Sequence, residues 1–351
     1  MLHSKNTIAT PPGATIREQL ENRGMKQKEF AHRMGLSEKH ISRLINGQVE
    51  LTHDVALRLE SVLGVPASFW NNLEVVYREK LARVIAENEL ERDSELASKF
   101  PYSKMVALKW VPATRNKEEK ALHLRHFFEV AKLDFLNGLR IPGISFRRTG
   151  VNDTSDYCLA AWAQKARIEA RKYKTALINV GKLEQEIPRI REMTIKSPEV
   201  FCSELVDLFS KCGIALVFLP HIGSSFLHGA SFYDGNHIVM GLTVRGKDAD
   251  KFWFSLFHEM CHIIRGHINE LSETTLEQEN EADIFSRDIL ISPEQYRNFV
   301  EVNCFTRECI ITFARELGIA PGIVLGRLQK ENFVPYNRCN DLKVKYQIMF
   351  D

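Results

Sequence analysis

The chain has 351 residues, enough for two domains or three and for a sizeable buried core. Apolar residues make up 44% and charged residues 26%, which excludes a mainly disordered chain. With 47 basic and 45 acidic side chains, the net charge of +2 excludes an overall polyanion-seeking surface, so any nucleic-acid contact must be a local face.

No run of about 18 apolar residues occurs, and the start of the chain lacks an apolar leader core, so no membrane partner is expected. The seven cysteines are odd in number and lack CxxC spacing. A disulfide framework is therefore not expected, and a reducing, cytoplasmic setting is.

In chain order, residues 1–12 read as a loose tail that ends at Pro11-Pro12-Gly13. Residues 13–80 carry short helical patterns broken at Gly24, Gly35, Gly47 and Gly64, the mark of a compact helical bundle. Residues 81–140 continue helical as a linker region, with a charge-rich connecting helix near 77–96, a short helix in 100–112 and another over 117–137. A helix is expected around 155–173. Residues 213–220, 229–234 and 237–244 are short β-branched or aromatic runs that predict three strands, read as antiparallel. Helices follow from near Asp250 to His267, with Asp248 or Asp250 as N-cap, and over 275–291; two more flank residues 318–322. The fold class predicted is α+β and mostly helical. Residues 141–300 form the domain with the small sheet, and residues 301–351 a helical extension packed on it.

The sharpest motif is His258-Glu259-x-x-His262. Four residues are about 400° of helix, which leaves the two imidazoles within about 40° of each other. Facing His nitrogens chelate one borderline-soft ion, Zn²⁺ by default. Glu259 lies about 100° round from His258, where it can take a proton from water without ligating. A catalytic site of this kind needs a third protein ligand. Glu281 follows His262 with 18 residues between; Glu277 shares its helical face, so either could ligate, while Glu279 is read as pointing elsewhere. Asp283 or Asp288 could hold a ligand imidazole from outside the metal. His267 is read as capping the helix end and Cys261 as a buried thiol. His228, Tyr233 and Arg245 are oxyanion candidates among which spacing does not choose.

The second constellation lies in residues 25–48. Gly35 makes a tight turn between two short helices, Ala31 is small where they cross, and Ser37 is a natural N-cap. Glu38, Lys39, Ser42 and Arg43 then lie on the outer face of the second helix, where base edges would be met. Gln27 and Asn46 sit where backbone phosphates fall. Residues 1–80 hold 11 basic and 9 acidic side chains, a weak electrostatic footprint.

Two resemblances follow from these residues. Residues 11–77, with the Gln27–Gly47 core and the trailing Pro66, Phe69, Trp70 and Leu73, resemble the Xre-type helix-turn-helix of HigA-like antitoxins. That implies a homodimer, a double-stranded operator, autorepression and a cognate toxin. Residues from about 212 to 330, through GIALVFLP, HGASF, FWFSLFHEMCHII, ENEADIFSRDILISP and FARELGIAPGIVLGRLQ, look like the ImmA/IrrE zinc metallopeptidases. That resemblance implies a zincin-like domain, proteolysis of a regulatory protein, His258, His262 and Glu281 as ligands, and Glu259 as base. The combined expectation is a DNA-binding regulator with a zinc-dependent peptidase domain. The alternative is an operator-binding antitoxin whose metal site senses or is silent.

Overall fold

The computed structural model describes residues 2–136, 153–222, 229–243, 248–268 and 274–346. The chain divides into two compact units, Met1–Leu96 with Asn116–Leu122, and Ala97–Arg115 with His123–Asp351. The described residues are mostly helical, with two small sheets.

The first unit opens with a correction to the expected tail. Leu2–His3 (β1) pairs antiparallel with Ile8–Ala9 (β2), and Glu87 accepts hydrogen bonds from Ser4 and Thr7 at 2.5 and 3.0 Å. Five helices follow: α1 (Pro12–Asn22), α2 (Gln27–Met34), α3 (Glu38–Ile45), α4 (His53–Leu63) and α5 (Ala67–Ala97). Pro12 starts α1, where a missing N–H costs nothing. Gly13 lets α1 lie directly against the Ile45 carbonyl, a space that any Cβ would fill. Ile16, Phe30, Ile41, Leu59 and Trp70 are fully buried and form the centre of this bundle.

The second unit contains α6 (Tyr102–Ala107), and α7 (Lys117–Phe128) crosses into it. Next come α8 (Asp153–Ala170), α9 (Val180–Gln185), α10 (Ile187–Glu192) and α11 (Pro198–Ser210). The strands are β3 (Ile214–Leu219), β4 (Gly229–Asp234) and β5 (His237–Thr243). The sheet order is β3-β5-β4, with β4 antiparallel and β3 parallel to β5. The antiparallel expectation holds for β4 and is corrected for β3. The central strand is buried on both faces: Ile238, Met240 and Leu242 join the main core, while Gly241 meets the Trp162 ring of α8. A strand covered on both sides carries no alternation from which its pairing direction could be read.

The chain ends with α12 (Ala249–Ile264), α13 (Leu276–Leu290), α14 (Pro293–Val302), α15 (Arg307–Leu317) and α16 (Pro321–Lys330). Asp248 is the N-cap residue of α12, but its side chain pairs with Lys251 at 2.9 Å and makes no capping bond. Thr275 and Gln278 form a capping box that starts α13. The α13 end is clamped by Arg191, which donates to the carbonyls of Ile289 and Leu290 at 3.0 Å each, and to that of Leu317 at 2.8 Å. Contrary to the cysteine arithmetic, Cys304 and Cys309 form a disulfide, a local link beside the start of α15. Among the described residues no single helix is long and apolar enough to cross a membrane.

Candidate metal centre and nucleic-acid face

Helix α12 has two faces. Phe252, Trp253, Leu256, Phe257, Met260 and Ile263 are buried in the core of the second unit. The opposite face presents His258, Glu259 and His262, and α13 and β4 pack over it.

The structure brings Glu279 to the two histidines. His258 Nε2 and His262 Nε2 are 3.1 Å apart, Glu279 Oε2 lies 3.3 Å from the first, and Glu279 Oε1 lies 3.5 Å from the second. Glu281, the expected third ligand, is elsewhere: its carboxylate meets Arg265 Nε at 3.1 Å and His267 Nε2 at 3.3 Å. Glu277 is exposed. The helical offset explains the correction. Glu279 and Asp283 are four residues apart and share a face, whereas Glu281 lies about 200° from Glu279. The stripe of Ala282, Ser286 and Leu290, all buried, marks that same face as the one packed on α12. This stripe was the signal that could have selected Glu279.

The trio suits a metal ion. A tetrahedral ion with ligand bonds of about 2.0–2.2 Å has ligand–ligand edges of about 3.3–3.6 Å, close to the three separations found here. Glu279 Oε2 is buried and faces His258 Nε2 at 3.3 Å. Asp283 Oδ1 lies 3.0 Å from His258 Nδ1. A carboxylate only accepts, so Nδ1 carries the hydrogen and Nε2 is turned to the cluster. Asp288 instead pairs with Arg287 at 2.8 Å.

Without a metal, the site holds itself together with a proton. Burial opposes charge on His258, but the carboxylates of Asp283 and Glu279 outweigh it and push the imidazole up to about 9. Burial, then the His258 charge, pushes His262 down to about 4. Burial would raise Glu279, yet His258 and the Thr274 hydroxyl at 2.6 Å hold it at about 2.

Glu259 is the fourth member. It is buried, and its Oε2 accepts a hydrogen bond from Ser231 Oγ at 2.8 Å. Gly229 permits β4 to come this close, since a Cβ there would lie 2.8 Å from Glu259 Cγ. Burial pushes Glu259 up to about 7, a value suited to a base working near neutrality. Ser231 was not predicted; its strand position gives no hint of what it touches. Cys261 is buried, as expected, and desolvation lifts its thiol to about 11. α12 ends at Ile264, and His267 caps that end through its backbone N–H, which donates to the His262 carbonyl at 2.8 Å. Of the oxyanion candidates, Tyr233 lies on β4, while His228 and Arg245 fall outside the described residues.

In the first unit, Gly35 at φ 64° ends α2, its N–H meeting the carbonyls of Ala31 and His32. Ser37 Oγ then accepts from His40 N at 3.1 Å and starts α3. Ile41, Leu44 and Ile45 are buried, which fixes the rotation of α3 about its axis. Glu38, Lys39 and Arg43 are exposed as expected, and Ser42 is half-buried. Gln27 Nε2 lies 3.5 Å from the Glu38 carbonyl, and Asn46 Oδ1 lies 3.4 Å from Arg17 Nη2. Arg33 pairs with Glu29 at 2.6 Å. Among the described residues Lys39 and Arg43 form no salt bridge, so both charges face outward.

Residues 16–70 match the HTH_3 helix-turn-helix family. Over 63 residues the chain is 35% identical to the uncharacterized HTH-type transcriptional regulator YddM of Escherichia coli (strain K12), covering 67% of that protein and 18% of this one. The chain belongs to this helix-turn-helix family. Two solved structures are also similar. One, from Nostoc punctiforme PCC 73102, is assigned as an antidote protein of a plasmid maintenance system; it is 31% identical, with TM-score 0.23, and the match covers 24% of this chain and 91% of that one. The other is an addiction module antidote protein of the HigA family from Coxiella burnetii, 27% identical with TM-score 0.22, covering 24% and 92%. The helix-turn-helix assignment rests on α1–α4 and the start of α5.

Proposed function

We propose that this chain is a cytoplasmic, DNA-binding transcriptional regulator of the HigA-like antitoxin type whose second unit is a zincin-like, zinc-dependent peptidase. It works as a homodimer on a double-stranded operator and hydrolyses a regulatory protein or a cognate toxin. The observation that carries the peptidase reading is the closing of His258, His262 and Glu279 to within 3.1–3.5 Å, beside the buried Glu259.

His258, His262 and Glu279 would hold Zn²⁺, and the ion would supply Lewis acidity toward a carbonyl and toward water. The chain's own residues do the rest. Glu259 takes the proton of the attacking water and returns it to the departing amine nitrogen. Ser231 orients the Glu259 carboxylate, and Asp283 fixes His258. The apolar side of α12 keeps this chemistry on a rigid element.

The full chain should contain zinc and cleave a protein encoded beside it. Glu259→Gln should keep the metal and slow cleavage by about 10²–10⁴-fold. Equal rates in the two proteins overturn the peptidase and leave a metal-holding regulator. On the DNA side, the chain should bind its own upstream sequence with an affinity that falls steeply with salt. Arg43→Ala should cost about 1–3 kcal/mol if Arg43 reads a base edge. Equal, weak binding to every sequence tested overturns the operator reading.

A further inference from the structure

We propose that Glu281 and His267 are positioning residues that fix the tautomer of His262, through a carboxylate–imidazole–imidazole chain behind the metal centre. This rests on the metal reading above and extends it to residues that touch no ligand position. His262 Nδ1 lies 3.2 Å from His267 Nδ1, and His267 Nε2 lies 3.3 Å from Glu281 Oε2. The other Glu281 oxygen meets Arg265 Nε at 3.1 Å, which holds the carboxylate in place.

The hydrogen positions follow from what each group is able to do. A carboxylate accepts and never donates, so the hydrogen of His267 sits on Nε2. In neutral His267, Nδ1 is then a bare lone pair that accepts from His262 Nδ1–H. With its hydrogen on Nδ1, His262 turns a lone pair on Nε2 toward His258 and Glu279, the form a metal requires. With hydrogens on both nitrogens, His267 would force His262 into the opposite tautomer, with N–H facing the cluster.

The backbone is built to hold this chain. Gly266 at φ 67° reverses the direction after α12, and His267 N donates to the His262 carbonyl at 2.8 Å. The His267 ring is thereby returned against the helix that it has just left, and both imidazoles are buried. The two ligand histidines are thus held by different devices: Asp283 grips His258 directly, whereas Glu281 grips His262 through an intervening ring.

The test is zinc affinity, measured on the full chain by competition with a chromophoric chelator. His267→Leu should bind zinc about tenfold more weakly or worse, the usual loss when a ligand's outer partner is removed. His267→Gln, whose amide oxygen accepts from His262 Nδ1–H, should recover most of that loss. Glu281→Gln should also weaken binding, because its amide can donate to His267 and favour the wrong tautomer. Glu281 is half-exposed, so this variant keeps the test open if His267→Leu does not fold. Nitrogen NMR of the zinc-loaded protein should place the His262 hydrogen on Nδ1. If the chain binds one zinc and all three variants bind it equally tightly, the relay is overturned and the metal centre stands. If the chain binds no zinc, both readings fall.

Discussion

Glu279→Ala is expected to weaken zinc binding by on the order of 100- to 1,000-fold, while Glu277→Ala leaves it unchanged. A four-ligand structural zinc site is worth roughly 10–16 kcal/mol. One ligand's share is then about 3–4 kcal/mol, or two to three powers of ten. The loss should exceed that of the Glu281 variants, because Glu279 faces the two imidazole nitrogens whereas Glu281 pairs with His267 and Arg265. Chelator competition at fixed pH gives the comparison. If Glu281→Ala abolishes binding and Glu279→Ala does not, the ligand assignment reverses. Zinc must also displace the proton on His258, so affinity should climb about tenfold per pH unit up to about pH 9 and then level off.

Glu259→Gln should stabilise the metal-free protein above neutral pH and leave it unchanged in acid. Burial lifts the folded-state value of Glu259 from 4.5 to about 7. Below about pH 4.5 the group is protonated whether folded or unfolded, so the amide gains nothing. As pH rises through about 7, the unfolded chain keeps its ionised carboxylate in water while the folded chain must bury the charge. The wild type therefore loses about 3–4 kcal/mol that the amide does not lose. Ser231 can still donate to the amide oxygen, so packing is preserved. His258 adds a second, separate loss. Its value rises on folding from 6.5 to about 9, so its stabilisation is complete below about 6.5 and fades as pH climbs through 9. Denaturant titrations in chelator across this range should show wild type and variant diverging between about pH 4.5 and 7. Parallel curves throughout would show that Glu259 is not desolvated.

The elements that the sequence exposes most clearly are those written in short-range chemistry. Gly35 and Ser37 place the turn and the N-cap of α3, and the burial of Ile41 and Leu44 sets its outer face, all within a dozen residues. The pairing of His258 with His262 and the offset of Glu259 are properties of one helix. The expectation that Asp283 or Asp288 would support a ligand histidine narrows to Asp283, because only that residue shares the Glu279 face.

Other features were hidden because they depend on what a distant segment does. Spacing from His262 favoured Glu281, but distance along the chain does not fix how α13 rotates about its axis. Packing does, through Ala282, Ser286 and Leu290 and through the Arg191 clamp on the helix end. The direction of β3 was equally invisible, since a strand buried on both faces has the same composition in either orientation.

The local code of this protein thus settled its turns, caps and the two-histidine helix, because these interactions are satisfied within a few residues of backbone. Only tertiary packing decided which glutamate meets the histidines and which serine holds the base. Each of those contacts joins separate elements, and their mutual rotation is set by the whole core.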